Sequence, residues 1–116
     1  MRPGDADQVE QRLRELSTTL GTELAAEIIL MFRQDGSEQF SDLQSACRRR
    51  ELRAMQSAAH RLLGSVLLVG ARQLAQLCRK LELLARQGDE SSAYAAVAEL
   101  EQEFTALLTW VCQLEL

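Results

Sequence analysis

The sequence contains a single histidine, His60, and its surroundings are the first indication of chemistry. Apolar residues recur around it at steps of three and four, which is the pattern of an amphipathic helix. These residues are Leu52, Met55, Ala59, Leu62, Val66 and Val69. At about 100° per residue, His60 points roughly 130° away from the centre of that stripe. We therefore expect a solvent-facing imidazole, whose unprotonated nitrogen can act as a nucleophile at cellular pH.

The residues that follow His60 on the same helix predict a contact surface. Gly64 lies one turn on and has no side chain to obstruct an approaching partner. Leu67 leaves apolar surface where a solvated helix carries charge, whereas Leu63 fits either this surface or the edge of the core stripe. Exposed apolar residues around a lone histidine indicate a docking site for another protein.

The same periodicity extends along nearly the whole chain and predicts five helices. The first covers about Asp7–Leu20, and the second begins near Thr22 and carries apolar residues as far as Cys47. The other three cover about Glu51–Leu68, Arg72–Gln87 and Glu90–Leu114. Gly21, Gly70 and Gly88 are expected to end helices, and Gly36 to kink or split the second one. Asp5 and Gln8 have the spacing of a capping pair for the first helix.

These helices predict an all-α fold made of one domain over residues 1–116. The connections are short, so consecutive helices should lie antiparallel as neighbours. We expect an antiparallel up-down four-helix bundle with an additional N-terminal helix across one end. The apolar stripes predicted for the first two helices are Val9, Leu13, Leu16 and Leu20, then Leu24, Ile28, Met31, Phe32, Phe40, Leu43 and Cys47.

Charge is distributed unevenly along the chain, whose net charge of −4 argues against a general nucleic-acid-binding protein. Residues 48–86 carry nine basic side chains against two acidic ones, and the remainder of the chain is strongly acidic. This basic segment is either an ordinary solvated helix face or a patch that meets phosphate or an acidic partner.

The other features exclude several classes of protein. No stretch is apolar enough to span a membrane and the N-terminus lacks the apolar centre of a signal peptide, so we expect a cytoplasmic protein. Cys47, Cys78 and Cys112 are far apart and are interpreted as buried small hydrophobic residues. The chain has one histidine and no inward-facing Glu-x-x-His pair, so it lacks the ligands that a helical metal enzyme requires.

The segment from Ala59 to Glu82 resembles the histidine-containing phosphotransfer (HPt) domain. The family pattern is an alanine-histidine pair, then leucine, lysine, glycine and serine, followed by a glycine-alanine turn and a leucine-glutamate pair. Here the corresponding residues are Ala59-His60-Arg61-Leu62-Leu63-Gly64-Ser65, Val69-Gly70-Ala71, Leu74-Ala75, Leu77-Cys78 and Leu81-Glu82. An acidic residue after Gly88 also fits the family.

The resemblance implies that His60 accepts a phosphoryl group from a receiver-domain aspartate and passes it to another receiver. It implies that Glu82 accepts a hydrogen bond from the other imidazole nitrogen and so orients the ring. The receiver would bring Mg²⁺, so neither a metal site nor a cofactor is expected, and the chain would be a carrier without kinase activity. We expect a monomer, because the exposed apolar surface is small and is assigned to a transient partner. The expected docking residues are Arg53, Gln56, Arg61, Leu63, Gly64, Leu67 and Arg79.

One position departs from the family pattern. Leu63 stands where the family usually has lysine, and it offers no charge to a phosphoryl group. Arg61, Arg53, Arg79 and Arg86 are the candidates to supply that charge. The departure keeps open an alternative function, in which an HPt-like adapter or inhibitor docks on a receiver or histidine kinase and transfers no phosphate.

Overall fold

The computed structural model describes residues 2–114, and every regular element within them is helical. The helices are α1 (Ala6–Leu20), α2 (Thr22–Met31), a π-helical turn (Phe32–Gly36), α3 (Ser37–Arg48), α4 (Leu52–Leu68), α5 (Arg72–Arg86) and α6 (Glu90–Cys112). Helices α3 to α6 form an antiparallel up-down four-helix bundle, and α1 packs on α2 as an additional N-terminal helix. The predicted fold class is confirmed.

Three-residue turns at 49–51, 69–71 and 87–89 connect the helices of the bundle. The turn between α4 and α5 is closed by Gly70, whose φ of 80° is unfavourable for residues with a side chain. The Ala71 amide donates to the Val66 carbonyl and the Gly70 amide to the Leu67 carbonyl, as at many helix ends. The side chain of Arg12 in α1 packs over Gly70, so a β-carbon there would lie only 3.1 Å from Cβ of Arg12.

The second predicted helix continues past Gly36 without a split. Gly36 has helical dihedral angles and the irregularity is the π-helical turn. Buried residues recur there at steps of four, at Ile28, Phe32, Gly36 and Phe40. On a regular α-helix, residues spaced four apart shift gradually around the helix axis. The π-helical turn contains more residues per turn and therefore keeps these four residues on one face.

The centre of the core is aromatic. Phe104 of α6 lies with its ring centroid 4.5 Å from that of Phe40 and 5.8 Å from that of Phe32. The same core contains the fully buried Leu43, Met55, Leu62, Leu74, Leu81, Leu100 and Leu107. On α4 the buried residues include most of the predicted stripe, which places the opposite face of the helix in solvent.

Asp5 caps a helix other than the one predicted. Its side chain makes no capping bond to α1. It is buried, and it accepts hydrogen bonds from the backbone amides of Gln73 at 2.9 Å and Leu74 at 3.0 Å. These amides are in the first turn of α5, where Ala71 at the N-cap has no side-chain acceptor to offer. Asp5 therefore fixes the N-terminal segment to the bundle.

Some residues predicted in the core are exposed instead. Leu20, Leu24 and Met31 are exposed, because α2 packs mainly against α1 and two helices bury only one narrow face each. The interpretation of all three cysteines as buried is also wrong: Cys78 is buried, Cys47 is half-buried and Cys112 is exposed near the end of α6. No helix within residues 2–114 is long and apolar enough to cross a membrane.

Candidate functional site

His60 lies near the middle of α4 and its imidazole points outward. The neighbouring Ala58, Ala59 and Leu62 are buried in the bundle, whereas the His60 side chain is 69% exposed. The sequence prediction of a solvent-facing ring is therefore confirmed. A ring in this position is accessible to a reactive group on another protein.

Glu82 of α5 holds one nitrogen of the ring. The Nδ1 atom of His60 lies 3.0 Å from Oε1 of Glu82, whose side chain is only 16% exposed. A carboxylate can only accept hydrogen bonds, so Nδ1 carries the proton and donates it. In the neutral ring Nε2 is then unprotonated, with its lone pair directed away from Glu82.

Arg86 lies one turn after Glu82 on α5 and approaches the same carboxylate. One guanidinium nitrogen of Arg86 is 3.9 Å from Oε1 of Glu82, the oxygen that accepts from His60. This pair is loose and the Arg86 side chain is 61% exposed. The guanidinium therefore adds positive charge beside the imidazole and remains available to a ligand.

A shallow depression surrounds the ring between α4 and α5. The residues that line it are Arg53, Gln56, Ser57, His60, Arg61 and Glu82. Five of these six are predicted site residues, and Ser57 is the one that sequence analysis missed. Its position three residues before His60 on a helix is the signal that could have identified it.

The two arginines at the edge of this depression differ in their partners. The Nη2 atom of Arg61 lies 3.4 Å from Oδ2 of Asp42 in α3, so the Arg61 side chain is directed away from α5. Arg53 is exposed and forms no ion pair within residues 2–114. Of the two, Arg53 is therefore the freer positive charge on α4 beside the histidine.

Leu63, Gly64 and Leu67 lie further along the same helix. Leu67 is 44% exposed, and a β-carbon at Gly64 would have no neighbour within 4 Å. Leu63 is half-buried and packs against the core, which agrees with its interpretation as the edge of the core stripe. The open surface beside His60 is therefore formed by Gly64 and Leu67, with only part of Leu63 contributing.

Two further groups lie near this face. The hydroxyl of Ser65 donates a 2.6 Å hydrogen bond to the side-chain carbonyl of Gln39 and ties α4 to α3. Arg79 is exposed on α5 but does not line the depression at His60. The predicted site residues therefore form a central depression with an extension along α4 and one arginine outside it on α5.

Comparison with known proteins gives the family of this chain. The model of the Hpt domain matches residues 27–110, and the chain therefore belongs to the Hpt domain family. The fold is similar to the crystal structure of the histidine-containing phosphotransfer protein ZmHP2 from maize, with a TM-score of 0.74 and 24% sequence identity over 90% of this chain and 86% of that chain. A comparison with curated proteins found no match.

Proposed function

We propose that this protein is a phosphoryl carrier in a two-component phosphorelay and that His60 is the residue that is phosphorylated. The observation that carries the proposal is the pairing of an exposed imidazole with a largely buried carboxylate, which occupies Nδ1 and leaves Nε2 free. Membership of the Hpt family supports it independently. Glu82 then acts as a positioning residue for the ring.

The transfer step follows from this geometry. The Nε2 lone pair attacks the phosphorus atom of an aspartyl phosphate on a receiver domain. The N–P bond forms as the bond between phosphorus and the carboxylate oxygen breaks, and the aspartate leaves as a free carboxylate. Nδ1 keeps its proton, and the Glu82 carboxylate stabilises the positive charge that develops on the ring. Attack by a second receiver's aspartate reverses these steps and completes the relay.

The protein's own contribution is positioning and charge. Phosphoryl transfer depends mainly on in-line alignment and on neutralising the negative charge of the transferred group. Arg53 lines the depression without an ion pair to the described part of the chain, and Arg86 approaches the carboxylate that contacts the ring, so these two arginines are the candidates to contact the phosphoryl oxygens. The receiver supplies Mg²⁺ in this proposal, and the chain acts as a monomeric, cytoplasmic, single-domain carrier without kinase activity.

A phosphate-free adapter is the alternative function, and Leu63 favours it. This position has lysine in the family pattern, and here the leucine packs partly on the core. A protein that keeps the docking face but lacks this charge could bind a receiver or histidine kinase without accepting phosphate.

One assay separates the carrier from the adapter. Receiver domains from the source organism are phosphorylated with radiolabelled acetyl phosphate and mixed with the wild-type protein or with His60→Gln. The carrier proposal expects label on the wild-type protein that survives base and is lost in acid, and no label on the variant. Equal label on His60→Gln would reject the role of His60, and binding without label on the wild type would establish the adapter.

A further inference from the structure

Helix α5 presents a positively charged strip on the side of Glu82, the residue that contacts the histidine. The strip, called here the α5 stripe, consists of Arg72, Arg79, Leu83 and Arg86, all of which are exposed. At about 100° per residue these positions fall within roughly 60° of one another on the helix surface. The buried residues Leu74, Cys78, Leu81 and Ala85 occupy the opposite face.

The α5 stripe borders the depression at His60. Glu82, which contacts the imidazole, lies between Arg79 and Arg86, one turn from each. Arg86 approaches the same oxygen of Glu82 to 3.9 Å. A partner that covers the imidazole can therefore extend onto α5 without crossing another element.

The arginines of the stripe are largely free to meet a partner. Within residues 2–114, Arg72 and Arg79 form no ion pair. Lys80, which follows Arg79, instead approaches Glu99 of α6 to 3.9 Å on another side of α5. Free guanidinium groups at this spacing fit carboxylates on an opposing protein surface.

The stripe also contains an exposed apolar side chain. Leu83 is 47% exposed and lies between Arg79 and Arg86 along α5. Leu67 on α4 is similarly exposed, at 44%. The other large hydrophobic residues that are this exposed within residues 2–114 are on α1 and α2. An exposed leucine flanked by arginines is the arrangement of an interface, with an apolar contact inside a charged rim.

We propose that the α5 stripe is part of the receiver-docking surface and selects receiver domains whose facing surface is acidic around an apolar contact site. This inference rests on the proposed carrier function, because it assumes that a receiver covers His60. It adds the chemistry of the partner. Attraction between the arginines and acidic side chains would steer the encounter, and Leu83 would provide buried contact area.

Matched substitutions test the α5 stripe. Arg79→Glu and Lys80→Glu make the same change of charge at adjacent positions of α5, and only the first lies in the stripe. Leu83→Asp and Leu30→Asp replace leucines that are 47% and 48% exposed, and only the first is on the docking face. Leu67→Asp on α4 serves as the reference for damage to the docking surface.

The measurement is the affinity for the receiver domain that transfers phosphate to the wild-type protein most rapidly. We expect Arg79→Glu, Leu83→Asp and the reference Leu67→Asp each to weaken binding about tenfold at low salt, while Lys80→Glu and Leu30→Asp change it less than about twofold. Wild-type binding should also weaken as salt rises from about 50 to about 300 mM. Circular dichroism of each variant verifies that the bundle is folded.

The outcomes distinguish this inference from the carrier function. If Arg79→Glu and Leu83→Asp bind as tightly as their controls while phosphate still reaches His60, the α5 stripe is not a docking surface and the carrier function stands. If no receiver binds or transfers phosphate to the wild-type protein, both proposals are overturned.

Discussion

Nδ1 of His60 donates a hydrogen bond to Oε1 of Glu82 across 3.0 Å, although 22 residues separate them in the sequence. The bond joins α4 to α5, each of which contributes a fully buried leucine, Leu62 and Leu81, to the core. Because Glu82 is only 16% exposed, water competes weakly for this bond. The hydrogen bond therefore favours one orientation of the ring.

Replacing Glu82 by glutamine should slow phosphoryl transfer. Glu82→Gln keeps the side-chain length but removes the charge that stabilises the phosphorylated ring. We expect about a tenfold to hundredfold lower transfer rate, by analogy with the loss of partners that orient histidine ligands. The measurement is single-turnover transfer from a phosphorylated receiver. Glu27→Gln, on the exposed surface of α2, is the control, and equal rates for the two variants would show that Glu82 does not position the ring.

Restoring the family's lysine should accelerate transfer. Leu63→Lys places an ammonium group one turn from His60, while the lysine stem retains part of the apolar contact with the core. We expect at least about a threefold faster transfer rate, with about 1 kcal/mol of stability lost from reduced packing. A time course of single-turnover labelling gives the transfer rate, and urea unfolding gives the free energy of unfolding. A rate equal to that of the wild type would indicate that nearby arginines already supply the charge.

The central part of this site could be predicted from sequence, because it depends on local geometry. Helical spacing placed His60 away from the core and Gly64 and Leu67 on its face. The family pattern pointed to Glu82 on the neighbouring helix. The ion pair between Arg61 and Asp42 could not be predicted, since it depends on how α3 packs beside α4. Arg79 was predicted as a docking residue, and it lies outside the depression at His60.

Loss of the Asp5 carboxylate should destabilise the whole bundle. Asp5→Ala leaves the amides of Gln73 and Leu74 without acceptors in a buried position. Caps of this kind contribute about 1–2 kcal/mol, and urea unfolding monitored by circular dichroism measures the loss. Asp7→Ala is the control, because its carboxylate is 90% exposed and its ion pair with Arg2 contributes little. A cost no larger for Asp5→Ala than for Asp7→Ala would contradict the capping role.

The three cysteines should react with iodoacetamide at very different rates. Burial raises the pKa of the Cys78 thiol to about 12 and also raises the pKa of Cys47, whereas Cys112 is exposed. At pH 8 we expect Cys112 to be modified first, Cys47 slowly and Cys78 only after unfolding, as mass spectrometry of the peptides would show. Rapid modification of Cys78 in the folded protein would contradict its burial.

The raised pKa of Cys78 also predicts how stability depends on pH. The folded state holds the thiol proton more tightly than the unfolded chain, whose thiol has a pKa near 9.0. The resulting stabilisation is complete below about pH 9 and is lost as pH rises from there towards about 12. Cys78→Ala should show a smaller decline over this range in urea unfolding, and an identical decline would mean that other groups cause it.

The fold was predictable where periodicity is regular and was not where distant residues interact. The regular apolar stripe of α4 and the glycines that end the helices were enough to predict the four-helix bundle. The apolar residues of α1 and α2 were assigned to the core because their spacing is helical, yet Leu20, Leu24 and Met31 have too few neighbours to be covered. Asp5 was assigned to the nearest helix, although its carboxylate reaches one that begins 67 residues later.

The most direct measurement identifies the nitrogen of His60 that carries phosphate. The protein labelled with ¹⁵N in its single histidine is phosphorylated by a receiver domain, and long-range ¹H–¹⁵N spectra distinguish the two ring nitrogens. The hydrogen bond from Nδ1 to Glu82 predicts phosphate on Nε2, with Nδ1 remaining protonated. Phosphate on Nδ1, or a histidine that stays unmodified while the receiver loses its phosphate to another residue of this protein, would contradict the proposed function.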